Sequence, residues 1–273
     1  MISSKPFGIM LVSIALSLTA PQAFCAEVKD KDNDDIQAAI FRYKAANEAN
    51  PNNPKNHLKL GKAYLMSGEL EPAIAEFKTS LKLNAEEPEC YMGLSRAYSR
   101  QGDVKQACEQ IKEAVRLAPS NGQYHLKYAQ LLSRDNKLDQ AIVEFKQAIK
   151  LDGNDANSHR DYGAALGLKG DIAGQILEEK KALALAPDNA DAHFYLGSAY
   201  AAQGAKKEAM AALKRCIELD KKNADALELM AGITASNKQY KEAVDYARAA
   251  CDLSPNNQRY ASALEKIRAA STK

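Results

Sequence analysis

The sequence predicts an all-α solenoid: six 34-residue helix–turn–helix repeats, a preceding half-repeat helix and a C-terminal capping helix. Three observations carry this. His125, His159 and His193 are 34 residues apart, and His57 lies two such steps before His125 with Tyr91 midway, so every histidine sits on one grid. Ala, Leu, Lys, Glu and Gln, all helix-favouring, are abundant, while 14 Gly and 9 Pro are few for 273 residues. No run alternates β-branched and polar residues, so almost no strand is expected.

The N-terminus differs from the rest. MISSKPFGIMLVSIALSLTAPQAFCA has one charge, Lys5, followed by an apolar run from Phe7 to Ala20. That run is too short to span a bilayer comfortably and suits the core of a signal peptide. Ala23 and Cys25 favour cleavage after Cys25, which makes residues 1–25 a signal peptide and the mature chain periplasmic or secreted. Phe24 before Cys25 argues against a lipid anchor. The alternative is an uncleaved N-terminal anchor, the one route this reading leaves for membrane contact. Residues 26–33 read as a solvated linker. Ile36, Ala39, Tyr43, Ala46 and Pro51 fit a half-repeat helix over 34–50.

Six blocks follow without insertion or deletion: 54–87, 88–121, 122–155, 156–189, 190–223 and 224–257. Their eighth residues are small: Gly61, Ser95, Ala129, Gly163, Gly197 and Ala231. Their seventh are large: Leu60, Leu94, Tyr128, Tyr162, Leu196 and Met230. The twentieth are Ala73, Ala107, Ala141, Gln175, Ala209 and Ala243. The twenty-fourth are Phe77, Ile111, Phe145, Glu179, Leu213 and Ala247. Within a block, large apolar residues recur at three- and four-residue spacing, Gly68 ends a first helix, and Pro72 opens a second. Small places let two antiparallel helices approach, and large ones fill the grooves around them. Residues 258–273 read as a closing helix whose Arg259, Lys266, Arg268 and Lys273 supply a polar outer face.

This pattern resembles the tetratricopeptide repeat, most clearly at Leu196, Gly197, Tyr200, Ala209 and Leu213. The resemblance covers residues 54–257. It implies a right-handed superhelix whose concave side is lined by the first helix of each repeat, at the second, fifth, ninth, twelfth and thirteenth places. In the first three repeats those places and their neighbours give Lys55, Lys59, Lys62, Arg96, Arg100, Lys127, Gln130 and Arg134, with Glu89 as the acidic exception. In the later repeats they give Asp191, Asp225 and Glu228, with Phe194, Ala201, Ala202, Gly232 and Ala235. A groove basic at one end and acidic to apolar at the other suits an extended peptide or partner tail with acidic residues. The alternative is a solvated charged face. The candidate partner-binding residues are Lys62, Arg96, Arg100, Gln130, Arg134 and Phe194. The Lys and Asn with which some family members hold a chaperone's C-terminal carboxylate, at the fifth and ninth places, have no match here, so that function is not carried over.

The histidines occupy the fourth place, where the family consensus has Trp; Tyr91 and Leu227 fill it in the other two repeats. Equivalent places in stacked repeats run side by side and do not converge on one ion, so the histidines are expected to be structural and no metal is expected. The fourth repeat departs from the pattern at Gln175 and Glu179 and carries Gly163, Gly167, Gly170 and Gly174. It is expected to be the least stable block and to let the solenoid flex; alternatively, Ile172, Ile176 and Leu183 fill its core. Cys90 and Cys108 fall at the separated starts of antiparallel helices, and Cys216 and Cys251 are not obviously paired, so free thiols are expected.

Function classes follow. Net charge is +2, from 37 basic and 35 acidic residues, which gives no overall field for nucleic acid. There is no Ser-His-Asp spacing, HExxH, phosphate loop or glycine-rich nucleotide fingerprint, so neither an enzyme, a cofactor nor a small-molecule substrate is expected. The leading expectation is an exported scaffold for a protein or peptide partner. A component of an envelope or secretion assembly acting at the membrane is the alternative, and an enzyme with an unrecognised site comes last.

Overall fold

The structure, a computed structural model, describes residues 20–272. Residues 1–19 of the expected signal peptide, and Lys273, lie outside the described residues. The chain divides into two compact units, Met1–Leu83 and Asn84–Lys273. Every element among the described residues is a helix.

The first unit holds α1 (Ala20–Ala49), α2 (Pro54–Ser67) and α3 (Leu70–Leu83). The backbone is helical through 26–33, where a linker was expected. Nothing between Ala23 and Ala49 is Gly or Pro, so a helix begun on either side has no reason to stop there. Ile36, Ala39, Tyr43 and Ala46 share a partly buried face with Ile40, its one fully buried member, and Asn56 Nδ2 donates to Ala46 O at 3.0 Å to tie α2 to α1. Pro54 opens α2, where its missing N–H is harmless, and the Asn53 side chain accepts from Lys55 N.

The second unit stacks five helical hairpins and a closing helix: α4 (Pro88–Gln101) with α5 (Val104–Leu117), α6 (Gly122–Arg134) with α7 (Leu138–Leu151), α8 (Ala156–Leu168) with α9 (Ile172–Leu185), α10 (Ala190–Gln203) with α11 (Lys206–Leu219), α12 (Ala224–Ser236) with α13 (Tyr240–Leu253), then α14 (Gln258–Ser271). Each helix packs on the next in sequence, giving an α-solenoid of consecutive pairs.

Local chemistry sets both ends of each first helix. Asn121, Asp155, Asn189, Asn223 and Asn257 lie 34 residues apart, and each side chain accepts from a backbone N–H in the first turn of the helix it caps. Fifteen places into each repeat the backbone turns left-handed, at Gly68, Gly102, Asn136, Gly170, Gly204 and Lys238. Four are glycine, which takes that conformation without a Cβ penalty.

Pairing within a hairpin follows the small and large places. A methyl group at Gly61 would lie 2.8 Å from the Phe77 ring, and one at Gly197 would lie 2.7 Å from Leu213 Cγ. The glycines are therefore the sockets of those large side chains. Ala107, Ile111, Ala141, Phe145, Ala209 and Leu213 are all buried, each large one contributing roughly 1.5–3 kcal/mol. In the fourth repeat, Ile172, Ile176 and Leu183 are only partly buried, so they do not replace the missing core residues. Gln175 and Glu179 take the core places themselves, against Gly167 and Gly163.

Candidate functional site

The first helices α4, α6, α8 and α10 bring a row of side chains together. Met92, Arg96, Gln123, Leu126, Lys127 and Gln130 line a cavity of about 390 Å³. A second, of about 400 Å³, shares Lys127 and Gln130 and continues past Ser133 and Arg134 to Asp161, Leu168 and Tyr195. The two form one trough across α4, α6, α8 and α10.

Its basic end is short of counter-charge. Arg134 Nη1 donates to Ser99 Oγ at 2.9 Å, a neutral partner. Lys127 is half-buried and makes no hydrogen bond or ion pair among the described residues. Burial, with Arg134 and Arg96 on either side, pushes its ammonium below the usual lysine range. The carboxylate within reach, Asp161, is occupied: Gln130 Nε2 donates to its Oδ2 at 2.7 Å, and Arg160 Nε and Nη2 donate to its Oδ1 at 3.0 and 2.8 Å. What this end lacks is an anion.

Of the residues expected to bind a partner, Arg96, Gln130 and Arg134 lie in this trough. Arg100 is exposed near the end of α4. Lys62 belongs to the first unit, where it lines a cavity of about 490 Å³ with Tyr43, Lys59 and Met66. Phe194 is partly buried and packs on the cluster around Leu213 and Met230, with its ring 5.4 Å from that of Tyr195. Lys127, Asp161 and Tyr195 all occupy the sixth place, which the family's groove positions omit; three polar residues at one place of successive repeats was the available signal.

The acidic end is less open than its sequence suggests. Arg259 Nη2 donates to Asp225 Oδ1 at 2.9 Å and to Glu228 Oε2 at 2.6 Å, and Tyr260 Oη donates to Asp225 Oδ1 at 2.9 Å. Arg259 thus turns back onto α12 and is no outer-face charge of the cap. Asp191 faces Arg160 Nη1 at 3.5 Å.

The histidines have partners that the sequence analysis missed. His57, His125 and His159 place Nδ1 2.7, 2.6 and 2.6 Å from an oxygen of Glu76, Glu144 and Glu178. Their Nε2 atoms lie 2.9, 3.0 and 3.2 Å from the carbonyls of Pro51, Pro119 and Gly153. In His125 and His159 both ring nitrogens face acceptors, whereas His57 Nδ1 also meets the Asn47 amide nitrogen at 3.2 Å. Each histidine binds the loop before its repeat to the second helix of that repeat. His193 keeps the carbonyl, Pro187 O at 2.8 Å, but Ala212 stands at the glutamate place. No group of three metal-ligating side chains occurs among the described residues.

Cys90, Cys108, Cys216 and Cys251 form no disulfide among the described residues. Burial pushes Cys216 up to about 11, far from a reactive thiolate. No helix among the described residues is long and apolar enough to cross a membrane.

Comparison with known proteins places this geometry. Tetratricopeptide-repeat family models match residues 32–97 and 171–233, residues 88–131, and residues 122–155. No curated protein sequence matches the chain. Among solved structures, the chain resembles the APC/C hetero-tetramer Cut9–Hcn1 with a TM-score of 0.71 at 18% identity, over 86% of this chain and 46% of that one, so it spans less than half of that relative. It resembles YrrB, a TPR protein with an unusual peptide-binding site, with a TM-score of 0.60 at 22% identity, over 68% of this chain and 95% of that one. It resembles PilW, a widely conserved type IV pilus biogenesis factor, with a TM-score of 0.69 at 17% identity, over 79% of this chain and 98% of that one. The structural likenesses carry the fold alone, but the family models run through most of the repeats: the chain belongs to the tetratricopeptide-repeat family.

Proposed function

We propose that this protein is an exported, non-enzymatic scaffold that holds an extended segment of a protein partner, one bearing acidic residues, in the trough across α4, α6, α8 and α10. The observation that carries this is Lys127, a half-buried ammonium without a counter-ion, flanked by Arg96 and Arg134. A desolvated cation is stabilised by an incoming carboxylate more than an exposed one is. YrrB, with its peptide-binding site, supports a peptide as the occupant. The apolar run from Phe7 to Ala20 supports export to the periplasm or beyond. A second reading, a component of an envelope assembly, is favoured by the likeness to PilW.

Fluorescence anisotropy with a labelled, end-blocked peptide rich in Glu, beside its Gln counterpart, tests the binding. The acidic peptide binds the full chain, weakens as salt rises, and loses affinity on Lys127→Gln. Equal binding of the Glu and Gln peptides overturns the proposal. N-terminal sequencing of the protein from cell fractions, with and without detergent, decides between export and anchoring.

A further inference from the structure

The trough changes character between α6 and α8. At the thirteenth place Arg100 and Arg134 give way to Leu168, and at the ninth Arg96 and Gln130 give way to Ala164. Leu168 is 72% exposed and lines the same cavity as Lys127, so its aliphatic surface is open to whatever enters the trough. One cavity therefore holds a cation lacking an anion and an uncovered aliphatic side chain, with Ala164, Ala165 and Tyr195 beside it.

Resting on the reading of the trough as a peptide site, we propose that the cavity between α6, α8 and α10 is a two-part receptor. Lys127 takes the side-chain carboxylate of an acidic residue, and Leu168 with Ala164 takes an aliphatic side chain of the same peptide. An extended chain puts residues i and i+2 on one face, about 7 Å apart. That is the reach available within a single cavity bridging neighbouring helices, whose axes lie about 8–10 Å apart. The recognised element is thus an acidic and an aliphatic residue separated by one residue. The occupant is an internal segment of a partner protein; no chain terminus is required.

The test is a panel of short peptides, acetylated and amidated so that no terminal charge contributes, titrated into the full chain by calorimetry. The cores are Asp-Ser-Leu, Leu-Ser-Asp, Asn-Ser-Leu, Asp-Ser-Ser and Asp-Leu-Ser. One of the two spaced cores binds more tightly than the rest. Replacing its Leu by Ser costs about fivefold, the scale of partly burying one aliphatic group. In Leu168→Ser that fivefold preference disappears while the preference for Asp over Asn persists; in Lys127→Gln the reverse holds. Leu168 is exposed enough for the variant to fold as the parent does, which a thermal melt checks. Acidic peptides that bind with no preference for Leu overturn the two-part receptor and leave the scaffold reading intact. A preference for Leu that survives Leu168→Ser overturns it too. No binding by any peptide at millimolar concentration overturns both.

Discussion

The fourth and fifth repeats are one design with two fillings. In both, the first helix ends on a left-handed glycine, Gly170 or Gly204, and presents a glycine socket, Gly163 or Gly197. In the fifth repeat Leu213 fills the socket. In the fourth it is Glu179, whose Oε1 lies 2.7 Å from where a methyl group at Gly163 would stand. Neither oxygen of that buried carboxyl has a hydrogen-bond partner, and burial holds it protonated, with its pKa raised from 4.5 to about 9. Socket and plug fix how the helices meet; the chemistry of the plug fixes how stable the meeting is.

Exchanging the plugs is the strongest way to break that conclusion. Leu213→Glu puts an unpartnered carboxyl where an aliphatic group packs, and costs about 5 kcal/mol, measured by urea denaturation. A loss under about 1 kcal/mol would mean the fifth repeat tolerates a polar plug as well as the fourth.

Glu179→Leu is the converse, with Leu213 in Gly197 as its precedent, and it stabilises by about 2–4 kcal/mol near pH 8. The sign with pH follows from proton uptake. Between about pH 4.5 and pH 9 the folded state keeps a proton on Glu179 that the unfolded chain releases, so the stability of the parent falls as pH rises through that window and levels off above it. Glu179→Leu removes that fall, so its advantage shrinks toward pH 5. An advantage independent of pH would place the effect in packing alone. Hydrogen exchange sharpens the point: residues 156–187 exchange faster than their neighbours in the parent, and the gap narrows in Glu179→Leu.

The histidine clamps differ in the opposite sense, since the fourth repeat has Glu178 and the fifth has Ala212. Glu178→Ala leaves His159 Nδ1 without its acceptor and costs about 1–3 kcal/mol. Ala212→Glu supplies His193 with the missing carboxylate and gains about 1 kcal/mol or less, read as a small rise in Tm. Smallest of all is the turn shared by both repeats, built from a lysine in the sixth. Lys238→Gly gains about 0.5–1 kcal/mol, because Lys238 is held at φ 63°.

The repeat register was legible because spacing survives changes in chemistry: Gly61, Gly163 and Gly197 mark the same socket whatever fills it. The fourth repeat's core was harder to read, since hydropathy favours Ile172, Ile176 and Leu183, whereas the face that meets α8 is set by position and buries Gln175 and Glu179. The histidines were read as structural from their shared direction, but their glutamates lie nineteen residues on, across a turn, and no local pattern links them. In the trough, Arg96, Gln130 and Arg134 could be named from the repeat. Which carboxylates were already occupied could not, because Gln130 and Arg259 find their partners on neighbouring helices only once the stack exists. The leader and the cleavage after Cys25 remain readings of the sequence.

A stack that puts histidine where its relatives put indole also has an optical consequence. The chain contains 12 Tyr and no Trp, so its near-ultraviolet emission comes from tyrosine spread along the array. His193, the one histidine without a carboxylate, is where an indole costs the least. His193→Trp would give a single emitter seated in the fifth repeat, and selective excitation would follow the loosening of that hairpin while the others stay dark.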